Sequence, residues 1–350
     1  MRNVNFVVLL LALCVLGCSS GEAAPKKTFT LAVSPYAGWL PWYYANDRQI
    51  LKKWADHYGI SINVTYTDYV PSIEAYVAGQ ADAVALTNIE TLGVPADSGV
   101  DSSVIIVGDY SNGNDAILAR EKMHLPDLKG RKVYLAERTV SQYVLTRALE
   151  SAKLKESDAQ VMNVSEGDIV TLARRRENVV VTWNPMVMQI EKSGANKLFD
   201  SSQIPGEIQD LLVVNSRTLK TSPEFARALV GAWYEVMKVM NGDGAASKDA
   251  LMRMAALIKE DPEEFEGQLK TTAMFYTPKA ALDYMRSTKL KQQQDLVRRF
   301  CFKHGLMGED ARSVDSVGIS YPDGTIYGDA KNVKMRYVDK FTAEAADGKI

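Results

Sequence analysis

The sequence predicts an α/β fold built as two lobes. Short apolar runs of strand length alternate with amphipathic stretches of helical period, and this alternation occurs twice, the second series opening at Lys132. The composition, 46% hydrophobic and 24% charged over 350 residues, is that of an ordinary globular chain.

Phe29-Thr30-Leu31-Ala32-Val33 reads as the first strand. Asn46 or Asp47 then caps a helix whose apolar face is Ile50, Leu51, Trp54, Ala55 and Tyr58, and Gly59 stops it. A second strand follows as Ile62, Val64 and Tyr66. Pro71 and Ser72 open a helix that Gly79 ends, and Ala81 to Leu86 forms a buried third strand. A helix starting at Asn88 precedes the apolar run Val104-Ile105-Ile106-Val107.

The second series begins with strand Lys132-Val133-Tyr134-Leu135. Thr139-Val140-Ser141-Gln142 is a capping-box pattern, continued by Val144, Leu145, Ala148 and Leu149 on one helical face. Strand Val161 to Val164, a helix from Ser165 to Arg175 and strand Val179 to Thr182 repeat the alternation. Leu211 to Val214 is a further strand, and Ser222-Pro223 starts a helix through Phe225, Leu229, Trp233, Val236 and Met240. Residues 245–306 are helical in pattern, and Pro322-Asp323-Gly324 marks the turn of a hairpin. In open α/β sheets ligands bind beyond the carboxyl ends of the strands, so the residues that follow each strand are the ones to weigh.

Ahead of the first strand, one cationic residue and an apolar stretch from Phe6 to Leu16 form an export signal, shorter than the ~20 residues of a membrane-spanning helix. Val15-Leu16-Gly17-Cys18 resembles a bacterial lipobox. Residues 1–17 would then be a lipoprotein signal peptide, Cys18 the acylated first mature residue, and residues 18–27 a polar tether; the alternative is ordinary signal cleavage nearer Gly21-Glu22-Ala23.

Lys and Arg total 41 against 43 Asp and Glu, a formal net charge of −2. That balance lacks the basic stripe a nucleic-acid partner requires. Three His and three Cys, far apart, leave little for a zinc site or a disulfide framework, and no cofactor is expected. With Cys14 in the leader and Cys18 acylated, only Cys301 stays free, so the exported chain must be held by its core.

Ser34-Pro35-Tyr36-Ala37-Gly38-Trp39 after the first strand, Ala78-Gly79-Gln80-Ala81-Asp82-Ala83, Gly130-Arg131-Lys132-Val133 and the helix from Ser141 to Leu149 together carry a family resemblance. In these segments the chain resembles the periplasmic substrate-binding proteins of ABC importers, in the nitrate/taurine/sulfonate branch. The stretch Val107 to Asp115, Thr182-Trp183-Asn184-Pro185 and Tyr321-Pro322-Asp323-Gly324-Thr325 are similar to the subgroup encoded beside urea carboxylase, associated with urea and guanidine.

The resemblance implies a two-lobed periplasmic-binding-protein fold of type II, closing on a small solute and delivering it to a membrane permease and its ATPase without catalysis. It implies a lipid-anchored monomer on the periplasmic side of a bacterial membrane. Lobe I is expected over 28–118 and 216–350, with the C-terminal helices packed on it, and lobe II over 119–215. The crossings would fall near Leu118 to Glu121 and Leu212 to Asn215.

One departure bears on the ligand. Relatives that bind sulfonates present a small Gly/Ser/Thr turn at the start of the second-lobe helix, whereas this chain has Ala136-Glu137-Arg138-Thr139. A carboxylate there repels an anion, so Glu137 favours a neutral or cationic solute. Glu137, Asp109 and Asp115 are expected to accept hydrogen bonds from the amino groups of guanidinium or urea, unless each is a helix or loop cap. Asn88 offers a donor and an acceptor, or an N-cap.

Trp39 and Trp183 follow strand ends and present indole faces for a planar cation, with Tyr36 and Tyr110 as walls and Asn184 beside Trp183. Trp54 and Trp233 lie on apolar helix stripes and read as core, Trp42 as packing, and Arg174-Arg175-Arg176 as a solvated helix end. The alternative ligand is an anion such as taurine, an alkanesulfonate or nitrate, partnered by Arg138. An enzyme like those of pyrimidine synthesis, which share the general fold, would need reactive His or Cys in the cleft. His57, His124 and His304 fall away from the strand ends.

Overall fold

The computed structural model describes residues 26–350. The leader and Cys18 lie outside them. Among the described residues thirteen strands form two sheets. In chain order they are β1 (Thr28–Val33), β2 (Ser61–Tyr66), β3 (Ala83–Thr87), β4 (Ser102–Tyr110), β5 (Asp115–Ala119), β6 (Lys132–Leu135), β7 (Gln160–Asn163), β8 (Val179–Trp183), β9 (Asn196–Asp200), β10 (Gln209–Asn215), β11 (Gly318–Ser320), β12 (Ile326–Tyr327) and β13 (Val333–Tyr337). The first sheet has the order β12-β11-β13-β4-β10-β3-β1-β2 and the second β7-β6-β8-β5-β9.

In the first sheet β1 pairs in parallel with β2 and β3, while β10 runs antiparallel between β3 and β4. In the second, β6 pairs in parallel with β7 and β8, and β5 is antiparallel to β8 and β9. Strands β5 and β8 of the second sheet bury both faces, the twofold alternation of a strand sending successive side chains to opposite sides. Ile117, Val179 and Val181 join the main core, whereas Ala116, Leu118 and Val180 pack with Ile169, Val187 and Ile190 in a smaller cluster on the opposite face. Among the described residues no helix is long and apolar enough to cross a membrane.

The elements depart from the sequence expectation where polar residues interrupt the apolar pattern. A helix not expected, Leu40–Asp47, precedes the one at Ile50–His57, and the break between them is made by Gln49 in the left-handed region, φ 58. Thr87, and not Asn88, caps helix Asn88–Gly93 by accepting from the Ile89 N–H. The single helix expected from Ser165 to Arg175 is a 3₁₀ turn, Glu166–Asp168, followed by one helical turn, Ile169–Leu172. Strands β5 and β9 and helix Met186–Lys192 are additions to the sequence expectation, each only five to seven residues long.

The passages between sheets also differ from the expected ones. Asp115 already pairs with Trp183 in the second sheet, so the first passage lies between Tyr110 and Asp115, ahead of Leu118. The apolar run of β10 fills the gap between β3 and β4, which places Leu212 to Asn215 in the first sheet and the second passage between Asp200 and Gln209. By sheet membership, residues 115–118 therefore go with the second lobe and 209–215 with the first. The hairpin around Pro322-Asp323-Gly324 is formed by β11 and β12. Residues 245–306 carry helices Ala245–Leu257, Pro262–Leu269, Pro278–Met285 and Thr288–Lys303.

Candidate functional site

A cavity of about 360 Å³ lies between the two sheets, at the carboxyl ends of the parallel strands. The first lobe supplies the loop after β1 (Ser34 to Trp39), Asp68 and Tyr69 after β2, Thr87 at the end of β3, and Asp210 at the start of β10. The second supplies Asp115 at the start of β5, Val140, Glu166 after β7, Trp183 at the end of β8, and Met186. Asn114, in the first passage, completes the wall.

Four aromatic rings make a continuous band across the two lobes. Tyr36 meets Trp39 edge to face at 4.9 Å, Trp39 lies 5.5 Å from Tyr69, and Tyr69 meets Trp183 at 6.2 Å and 72°. Against this band stand four carboxyl groups, Asp68, Asp115, Glu166 and Asp210, and no Lys, Arg or His lines the cavity among the described residues.

The floor is a pair of buried carboxyls. Asp210 and Asp109 are register partners on β10 and β4, so their side chains share one environment. The Tyr36 hydroxyl donates to Asp210 Oδ2 at 3.1 Å and lies 3.1 Å from Thr272 Oγ1 and 3.5 Å from Asp109 Oδ1. Burial raises both carboxyl pKa values, and the Asp109 charge raises that of Asp210 further. Two carboxylates this close and this far from water resist ionising together, which is the direction both shifts take. Gly38 permits this arrangement, since a Cβ there would stand 2.7 Å from Asp109 Oδ2 and 2.7 Å from Tyr36 Cε1.

The remaining acids are held differently. Asp115 accepts from Ser111 Oγ and from Asn114 Nδ2, and burial pushes it up to about 6. Glu166 is pushed up to about 7 by burial, with the charges of Glu90 and Asp68 adding to it. Several polar atoms of the site have no protein partner among the described residues: Trp39 Nε1, Asn114 Oδ1, Glu166 Oε1 and, behind the wall, Asp109 Oδ2. Of the three on lining residues, one is a donor and two are oxygens able to accept, a set that suits a solute richer in N–H groups than in acceptors.

Of the residues weighed from sequence, Tyr36, Trp39, Asp115 and Trp183 line the cavity, and Asp109 lies directly beneath it. The others are elsewhere. Glu137 is exposed on the turn before the second-lobe helix, where its N–H donates to Asn163 Oδ1, and it does not reach the cavity. The left-handed Arg138, φ 63, turns this segment outward, its N–H donating to Gln142 Oε1.

Asn88 spends its side chain on structure, donating to Glu207 O and Gln294 Oε1 and accepting from the Gln209 N–H. Asn184 donates to Thr271 Oγ1 and accepts from the Met188 N–H in the first turn of the helix that follows. Tyr110 lies against Tyr284 and Phe275. Trp42 packs on Trp233 in the core, at 5.0 Å.

Sequence reading missed Asp68, Tyr69, Asn114, Glu166 and Asp210. Asp68, Tyr69 and Glu166 obey the strand-end rule and were legible by it. Asp210 had a different signal, a charged residue at the head of the apolar run Leu211 to Val214.

Comparisons with known proteins bear on the fold. A family model described as NMT1/THI5 like matches residues 116–241, and no curated protein matches the sequence. Among solved structures, the chain is similar to a putative periplasmic sulfonate-binding protein, SsuA, of an ABC transporter from Methylobacillus flagellatus KT. That match has 12% identity and a TM-score of 0.69, over 93% of this chain and 95% of the other. It is similar also to the alkanesulfonate-binding protein SsuA of Xanthomonas axonopodis pv. citri bound to MOPS, at 15% identity and TM-score 0.65, over 81% of this chain and 96% of the other. The desulfurization enzyme DSZB matches with 13% identity and a TM-score of 0.56, over 80% of this chain and 93% of the other. The fold is thus the two-lobed, type II fold of periplasmic binding proteins.

Proposed function

We propose that the chain is the substrate-binding lipoprotein of an ABC importer, and that it captures a small nitrogenous cation of the guanidinium class by closing its lobes. The observation that carries this reading is the lining itself, four carboxyl groups facing four aromatic rings with no cationic side chain between them. A planar cation gains charge-assisted hydrogen bonds from the acids and roughly 0.5–2 kcal/mol from each well-placed ring face. A sulfonate at 4 Å from one such carboxylate would meet about 4 kcal/mol of repulsion at an effective dielectric constant of 20.

Size refines the class. At ~30 Å³ per water the cavity has room for roughly a dozen waters, several times what guanidinium displaces, so substituted guanidines and amidines fill it better. Urea, which has the same donors without the charge, is the weaker member of the series. Closure works because the solute touches both lobes only when they meet, and that difference in affinity shifts the hinge equilibrium. Acylation at Cys18 would hold the protein at the membrane beside its permease and ATPase.

Calorimetric titration of the purified protein with guanidinium, methylguanidinium, urea and taurine tests the reading. Binding is expected in the order methylguanidinium, guanidinium, urea, with no heat from taurine. Saturable taurine binding in the absence of any guanidinium signal would overturn it.

A further inference from the structure

Glu90 makes a contact that neither the fold nor a helix cap requires. It lies in the first turn of helix Asn88–Gly93 on the first lobe and is 3% exposed. Its Oε1 crosses to the second lobe and accepts from the Val140 N–H at 2.9 Å, while Oε2 accepts from the Tyr69 hydroxyl at 2.9 Å and from the Thr87 hydroxyl. Tyr69, Thr87 and Val140 all line the cavity, so this carboxylate is seated immediately behind its wall.

Val140 is the first residue of the helix Val140–Ser151, whose unsatisfied N–H groups and dipole make its start a natural seat for negative charge. Thr139 already caps that helix by accepting from Ser141 N–H at 3.2 Å, so Glu90 is additional. The next residue of the same helix turn adds a second polar group: Ser141 Oγ, on a residue 1% exposed, has no partner among the described residues. Burial raises the Glu90 pKa, against which the three donors work to keep it ionised.

We propose that Glu90 is a specificity-determining residue: it seats the protein's own carboxylate on the start of the second-lobe helix, fills the place where an anionic solute would be held, and so reserves the cavity for cations. The inference rests on the cationic reading above and adds to it the residue that excludes the opposite charge. Because the carboxylate comes from one lobe and the N–H from the other, the contact exists only while the lobes are together, and it contributes to closure in the same stroke.

Glu90→Ala removes a CH₂–carboxylate fragment the size of acetate, which defines the probe. Thermal unfolding of the wild type, Glu90→Ala and Glu90→Gln is followed in sodium acetate and in sodium chloride of equal ionic strength, with methylguanidinium affinity measured for each. Glu90→Ala is expected to lose tenfold or more in methylguanidinium affinity and to gain a saturable, acetate-dependent rise in melting temperature that the wild type lacks. Glu90→Gln, which keeps the volume without the charge, loses the cation affinity but shows no acetate effect.

Methylguanidinium affinity within twofold of wild type in Glu90→Ala, or a folded Glu90→Ala that ignores acetate, overturns the proposal. Should Glu90→Ala fail to fold, unchanged cation affinity in Glu90→Gln overturns it. A wild type that binds no guanidinium compound would instead sink the functional reading, while acetate rescue would still decide the seat of Glu90.

Discussion

The two lobes furnish their halves of the cavity in different ways. The first sets its acid on sheet strands: Asp210 and Asp109 are adjacent on β10 and β4, covered by Tyr36 and by a loop that only Gly38 allows to come so near. The second presents Glu166 from a 3₁₀ turn followed by a single helical turn, and Trp183, half-buried, from the end of a five-residue strand. One half is a preformed floor and the other is held by short elements. This difference suggests that the first lobe sets which charge binds, and the second closes over it and adds contact area.

The comparison is sharpened first by the double change Asp109→Asn with Asp210→Asn, which removes the one negative charge that this pair can carry. Losing a charge-assisted hydrogen bond costs about 1.5–3 kcal/mol, so guanidinium affinity should fall by roughly ten- to a hundredfold by calorimetry. Glu166→Gln on the second lobe should fall by less. Equal losses would erase the distinction between floor and cover.

Next in size is the effect of pH. Burial holds Asp115 near 6 and Glu166 near 7, so at pH 5 both keep protons that an entering cation must displace, and at pH 8 neither does. Guanidinium affinity should therefore rise about tenfold or more from pH 5 to pH 8. The ligand-free protein should move the opposite way. Its carboxyls hold protons to higher pH than the unfolded chain does, so the stability they contribute is full below the ordinary carboxyl range and lost as pH rises through about 6 to 7. Thermal unfolding across that window checks the sign, and melting temperatures that climb with pH there would contradict it.

Trp183→Leu removes a ring face from the second lobe but keeps an apolar wall, and a loss of about 0.5–2 kcal/mol, up to roughly thirtyfold in affinity, is expected. Asn88→Ala acts on the frame. It leaves the Gln209 N–H and the Glu207 carbonyl without this partner, and denaturant titration should show about 1–3 kcal/mol of lost stability. The smallest effect belongs to Glu137→Gln, whose exposed side chain should leave guanidinium affinity within twofold. A larger change would return Glu137 to the site.

The class of fold, the order of most elements and four cavity-lining residues were legible because they depend on local rules. Apolar runs of strand length at Phe29, Ala81 and Val179 and helical stripes such as Phe225 to Met240 record burial directly. Residues just beyond strand ends face the cleft, which is how Tyr36, Trp39 and Trp183 could be found.

What only the tertiary structure decided is which of these ends converge. Asp109 and Asp210 became partners because β10 inserts between β3 and β4, and Glu90 reached Val140 because two lobes meet around the cavity. Glu137 went the other way, turned to solvent by the backbone at Arg138. Periodicity reports whether a residue is buried, while a carboxylate's role depends on what stands across from it, and that neighbour comes from a distant part of the chain.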